Sequence, residues 1–417
     1  MGCGRAAVRW LAVVALLVAM PAGAVATPAA TTSDRGPITF VTGKDLTGYL
    51  QPLLDGWNRA HPAERVTLVQ LPEAADDVHA QMVDSLRSGS SRFDVLNIDV
   101  AWTSEFAGSG WIAPVDGRGL PLGSLLPHVL DTATFRGRLY AAPYVTNAGL
   151  LYYRKDLLAR AGVRPPHTWA ELAKDAATVA PRYGVGGYAG QLFPYEGLTV
   201  NLSEAVESAG GSILAGDGEK VTVDSDAARQ GLDFLVSGVR QGWIPKAALT
   251  YKEEESRAAF EQGKLLFLRN WPYVYDSAAA AGSKVAGRFG VVPLPGSSVL
   301  GGSNLAVNAH SRHPRTAADL LAYLMSEQAQ RQVLARGSLP PVRAGLYTDP
   351  ALLHEFPYLP ILRQSVESAK PRPKSARYDQ VSLAVAAVTS DALNGRITPD
   401  QAIATLNRDL REIVAGR

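Results

Sequence analysis

Short apolar runs alternate with helix-period stretches along most of the chain. Ile38-Thr39-Phe40-Val41 reads as a strand, ended by the turn-forming Thr42-Gly43-Lys44-Asp45. Leu46, Leu50, Leu53, Leu54 and Trp57 then recur at helical spacing, and the pattern stops at His61-Pro62. Val66 to Val69 predicts a second strand and Val78 to Leu86 a second helix. Phe93 to Asp99 predicts a third strand, closing at Asp99 and opening into Val100-Ala101-Trp102. This β-α-β-α-β rhythm argues for a parallel sheet with helices on both faces.

Further along, Arg138 to Tyr144 reads as extended, and Gly149 to Tyr153 as a strand of a second lobe. A helix starts at Arg154 to Leu158 and ends at Gly162-Val163. Thr168-Trp169-Ala170-Glu171 spells a capping box, in which hydroxyl and carboxylate each satisfy a free backbone N–H. Thr398, Pro399 and Gln401 make a similar start for a late helix. Helices are also predicted near Tyr195 to Ser208, Asp226 to Gln241 and Glu253 to Gln262.

The segment Lys264 to Tyr275 changes character midway. Leu265 to Leu268 is an unbroken apolar run, as expected of a strand buried on both faces. Asn270, Trp271, Pro272 and Tyr273 follow at once. Proline is tolerated in the first turn of a helix, where its missing N–H would be unpaired anyway. A strand emptying into a helix start places Trp271 and Tyr273 at a carboxyl edge, where open α/β sheets bind ligands. Flat aromatic faces edged by polar groups suit sugars. Core packing is the competing reading, and the segment alone does not decide.

Length changes the picture little, since 417 residues suffice for two or three domains. The N-terminus changes it more. Arg5 and Arg9 precede the apolar run Leu11 to Met20, and Ala24-Val25-Ala26 offers a cleavage site. A signal peptide over 1–26 is expected, followed by a flexible tether over 27–36. Cys3, the one cysteine, lies ahead of the apolar run, so a lipid anchor is not supported by this start. The mature chain then carries no disulfide, thiol nucleophile or cysteine metal site. Without Arg5 and Arg9, the 41 basic residues fall level with the 39 acidic ones, which gives no argument for a nucleic-acid partner. Neither a His-Glu-x-x-His run nor a Gly-x-Ser-x-Gly elbow is present.

Five segments in order then carry a resemblance: Asp94 to Trp102, Gly149 to Leu158, Tyr195 to Leu198, Arg269 to Tyr273 and Lys370 to Pro373. Together they resemble the sugar-binding proteins of bacterial ABC importers (family 1 solute-binding proteins), most closely the trehalose/maltose branch. The likeness covers about Ile38 to Val414. It implies a two-lobed α/β periplasmic-binding-protein fold of type II, with discontinuous lobes and a multi-strand hinge. The lobes are expected at 37–143 plus 302–341 and at 147–292 plus 346–417, with crossings at 144–146, 293–301 and 342–345. A monomer is expected to bind a disaccharide, trehalose foremost and maltose or related glucosides next. It would deliver the sugar to the transmembrane subunits of a permease, with no cofactor and no catalysis.

The resemblance also implies site residues. Trp271 corresponds to a stacking face and Tyr273 to a hydroxyl partner. Asp99 ends a strand where a carboxylate can accept from vicinal hydroxyls, or it caps the next helix. Asn147 stands where relatives carry Asp or Asn. Arg372, between prolines, matches an arginine that reaches the sugar, against the reading of Lys370 to Lys374 as an exposed basic loop. Gly301 and Gly302 match backbone that approaches the ligand, or form a hinge turn. Ser303 replaces an aromatic, His79 stands where a relative has a long basic donor, and Asp45 or Lys44 replaces an acidic contact in a shortened first loop. Two other functions stay open: an exported carbohydrate-active enzyme using Asp99 and Glu196 as an acid/base pair, and a binder or sensor of another solute.

Overall fold

The computed structural model describes residues 1–3, 34–215 and 218–416. The expected leader lies outside the described residues beyond its first three, as does the tether before Asp34. Asp34 and the residues after it are tied down rather than loose. Asp34 pairs with Arg315 at 2.7 Å, and Arg35 with Glu64 at 3.1 Å and Asp319 at 2.7 Å.

Among the described residues, nine strands build the two larger sheets. The first lobe is opened by β1 (Ile38–Thr42), β2 (Val66–Gln70) and β3 (Val95–Asp99), with helices Leu50–Ala60 and Ala75–Arg87 between them. Next come β4 (Ala141–Ala148), β5 (Leu150–Arg154), β6 (Gly186–Ala189), β7 (Leu265–Asn270), β8 (Phe289–Pro293) and β9 (Leu300–Val307). The first sheet has the order β2-β1-β3-β9-β4 and the second β8-β5-β7-β6. Within the first, β1 runs parallel to β2 and β3, while β9 is antiparallel to both β3 and β4. That reversal follows from connectivity, because β9 re-enters the first lobe from the second.

Local sequence explains the main elements. Leu50, Leu53, Leu54 and Trp57 form one buried stripe on the first helix. That helix begins at Leu50 rather than Leu46 because Asp45 ties up the residues before it. Its Oδ1 accepts from the amides of Thr47 (3.1 Å) and Gly48 (2.8 Å), and its Oδ2 from that of Leu50 (2.9 Å). Every residue of β7 is buried, as its apolar run requires. Both capping boxes, at Thr168 with Glu171 and at Thr398 with Gln401, form as the spelling predicts.

The crossings depart from expectation in detail. Residues 144–146 are not a connection but lie inside β4, which continues to Ala148. Pro143 sits beside a bulge: Pro143 faces Asn304 and Val145 faces Ser303, so Tyr144 is the extra residue. The chain changes sheet at Gly149. Its return runs from Pro293 to Leu300. The third connection pairs slightly earlier than expected, with Thr146 donating to the Pro340 carbonyl at 3.1 Å and Pro341 bridging Val145. Among the described residues no helix is long and apolar enough to cross a membrane.

Candidate ligand-binding cleft

Strand direction puts the site candidates on one edge. β1 ends at Thr42, β3 at Asp99 and β7 at Asn270, while β9 starts at Leu300 and β4 reaches Asn147 near its end. These ends border a cleft of about 360 Å³, lined by Asp45, Asp99, Asn147, Trp271, Tyr273, Gly301, Gly302, Ser303 and Arg372 among others. That volume falls in the lower part of the roughly 300–1,000 Å³ usual for small-molecule pockets.

Trp271 is the flat wall. One face of its indole rests on the Arg269 guanidinium, 4.0 Å from carbon to ring centroid, which leaves the other for the cleft. The ring edge reaches Gly301, where an added Cβ would sit 2.9 Å from indole carbons. Gly302 has φ +112° and a Cβ there would lie 2.1 Å from the Val145 carbonyl oxygen, so the β9 backbone needs glycine at this point. Pro272 does not open the helix. It forms a turn, and the helix Val274–Ala279 starts two residues on. Tyr273 donates to Glu254 at 2.6 Å, and Tyr195 to Glu253 at 2.5 Å. Burial pushes the Glu253 carboxyl up, against the bonds it accepts.

Arg372 closes the floor. It is buried, one Nη donating to Glu196 at 2.5 Å and the other to Asp99. The exposed-loop reading of Lys370 to Lys374 therefore fails for Arg372, because two carboxylates pull it in. Asp99 takes the capping role: its Oδ1, which also receives Arg372, accepts from the Ala101 amide at 2.8 Å. Glu196 accepts further bonds from Tyr378 (2.7 Å) and Ser382 (2.5 Å). Both carboxyls are tied to one guanidinium, and burial pushes that of Glu196 up.

Two candidates behave differently from expectation. Asp45 lines the cleft, but its oxygens are spent on the loop before the first helix. His79 is not in the cleft wall at all. It is buried behind Trp102, with Nε2 3.1 Å from Glu105 and Nδ1 3.4 Å from Asp379. Its helical position turns it to the core side of Ala75–Arg87, beside buried Val78 and Met82.

Other lining residues went unselected in the sequence: Asn97, Glu73, Tyr195, Glu253 and Glu254. Asn97 lies two residues before Asp99 on the same strand face, a period-2 signal that was available. The side-chain oxygens of both Asn97 and Asn147 are buried without a partner among the described residues. Buried amide oxygens left so demand a donor. Among the described residues no cluster of His, Cys, Asp or Glu could hold a metal ion.

The comparisons agree with this geometry. A Deinococcus radiodurans protein named "Probable ABC transporter-binding protein" is 34% identical over 381 residues, 86% of this chain and 89% of its own length. The mannitol-binding protein of Pseudomonas aeruginosa is 27% identical over 400 residues, covering 85% and 87%. The maltose-bound structure of T. maritima MalE3 superposes with a TM-score of 0.85 at 32% identity, over 90% of this chain and 99% of that one. Such proteins bind solutes and do not turn them over. Residues 43–331 match the sequence profile of the bacterial extracellular solute-binding proteins, and this chain, two lobes around a polar cleft with one aromatic wall, belongs to that family.

Proposed function

We propose that this chain is the exported, solute-capturing component of an ABC sugar importer. It takes a neutral disaccharide between its lobes and hands it to the transmembrane subunits of a permease, acting as a monomer. Trehalose and maltose are the first candidates. The observation that carries the reading is the half-buried indole of Trp271 on the cleft wall, among carboxylates and amide oxygens without a partner among the described residues. A sugar ring offers an apolar C–H face for the indole and hydroxyl donors for Asp99, Asn97 and Asn147.

Charge narrows the class. Among the described lining residues Asp45 and Glu73 form no ion pair, against one cation in that state, Lys44. Anionic sugars would meet net repulsion. The mannitol-binding relative supports a second reading, an open-chain polyol, which fits the acceptors but has no ring to lay on Trp271. Calorimetry with trehalose, maltose, mannitol and glucose 6-phosphate tests both. Tight binding of a disaccharide, weak binding of mannitol and none of the phosphate are expected. Preference for mannitol would favour the second reading, and preference for the phosphate would overturn both.

A further inference from the structure

We propose that Arg269 is a positioning residue for the stacking wall, and that its pairing with Glu204 ties that wall to the hinge. The inference rests on the reading of Trp271 as the sugar-stacking face.

Neither Arg269 nor Glu204 lines the cleft, yet both are fully buried, at 1% side-chain exposure each. Taking two charges out of water costs more than their attraction returns unless the geometry is good and further bonds complete it. Here it is. Arg269 donates through Nε at 2.7 Å and Nη2 at 2.6 Å to the two oxygens of Glu204, and through Nη1 to Gln191 at 2.9 Å. A guanidinium locked this way presents a fixed plane, and that plane is what backs the indole of Trp271.

The other side of the pair meets the hinge. Glu204 Oε1 accepts from the Ser298 hydroxyl at 2.9 Å and the Val299 amide at 3.4 Å, both in the second crossing. Ser298 Oγ in turn accepts from the amide of Gly149, the first crossing, at 2.6 Å. A Cβ on Gly149 would lie 2.6 Å from Glu204 Oε1 and 2.8 Å from the Arg269 guanidinium, so the crossing packs directly on the ion pair. One buried pair thus touches the wall and two hinge connections. The wall then keeps its place relative to the hinge as the lobes move, and stacking on it bears on those connections.

The test is a cycle of Arg269→Lys, Trp271→Ala and the double variant. Lysine keeps the charge for Glu204 but removes the planar surface. Maltose affinity by calorimetry should fall about threefold to tenfold in Arg269→Lys, and not at all further when Trp271 is already alanine. Without any sugar, the indole N–H resonance of Trp271, assigned by Trp271→Phe, should shift or broaden while the other indoles hold. An equal loss in both backgrounds, or an unmoved Trp271 resonance, would overturn the positioning role. If Arg269→Lys does not fold, Glu204→Gln enters the same cycle with the same expectations. Ser298→Ala tests the hinge link: weaker maltose binding only when Trp271 is present supports it, and unchanged affinity refutes it. Should the wild type bind neither maltose nor trehalose, the sugar reading fails while the resonance still decides the role of Arg269.

Discussion

Replacing Arg372 by Met should separate folding from lobe closure. The thioether keeps the buried stem and removes the fork that joins Asp99, at the end of β3, to Glu196, at the start of helix Glu196–Ser208. Removing one partner of a buried ion pair costs about 3–5 kcal/mol in general. Two features bring the expectation to the lower end of that range. Glu196 keeps its bonds from Tyr378 and Ser382, and Asp99 retains 24% side-chain exposure, so water can reach it. The part lost from closure is the bond between lobes, about 1.5–3 kcal/mol for a charged hydrogen bond, or roughly tenfold to a hundredfold in sugar affinity. Urea unfolding without sugar measures the folding share, and calorimetry measures the rest. Asp99→Asn is the companion: it leaves the Arg372–Glu196 pair in place, so affinity should fall by a similar about 1.5–3 kcal/mol with little change in unfolding. An Arg372→Met protein that unfolds more easily but binds sugar as tightly as wild type would show that the bridge has no part in closure.

Trp271→Ala should cost about 2–4 kcal/mol of binding, the scale of an aromatic anchor in a desolvated pocket, and much less of folding stability; unchanged affinity would make the indole core alone. Ser303 faces the cleft on β9, opposite Asp99. Ser303→Trp should strengthen trehalose binding by about 0.5–1.5 kcal/mol while excluding larger glucosides, and calorimetry showing neither effect would refute the lowered-wall reading. Acidity should favour closure. Burial alone would lower the His79 pKa, but Glu105 from the helix Thr103–Gly108, Asp379 from the helix Tyr378–Leu393 and Asp76 on its own helix raise it above the ordinary value. A raised imidazole stabilises fully below its unfolded pKa, and that contribution is lost as pH rises through the folded one. Since Asp379 is over a third exposed, the effect is small: affinity should drop about twofold to threefold from pH 6 to 8.5, and Asp379→Asn should flatten the profile. A slope that survives Asp379→Asn would assign it elsewhere.

Much of the fold was legible because buried strands and amphipathic helices have different periods. The runs at Ile38, Val66 and Leu265 and the stripe from Leu50 to Trp57 needed no tertiary information. The crossing at Gly149 was not legible, since the strand through Pro143 runs on past Tyr144 to Ala148 around a bulge that only the partner strand reveals. The cleft residues came from sheet direction joined to family resemblance, which together singled out Trp271, Asp99 and Arg372. Periodicity could not say which partner takes a polar side chain. Asp45 carried the right chemistry at the cleft edge, yet three backbone amides claim its oxygens. His79 faced the core side of its helix, and Glu105 and Asp379, distant in sequence, hold it there. Arg269 looked like the polar end of a strand, and only the fold brings Glu204 and Gly149 against it.

The most direct measurement is a crystal structure of the protein grown with trehalose or maltose. The account predicts a sugar ring lying on the free face of Trp271, with hydroxyls donating to Asp99 and to the side-chain oxygens of Asn97 and Asn147, and with Arg372 still bridging the lobes. A sugar bound away from Trp271, or a cleft left empty at saturating disaccharide, would contradict it.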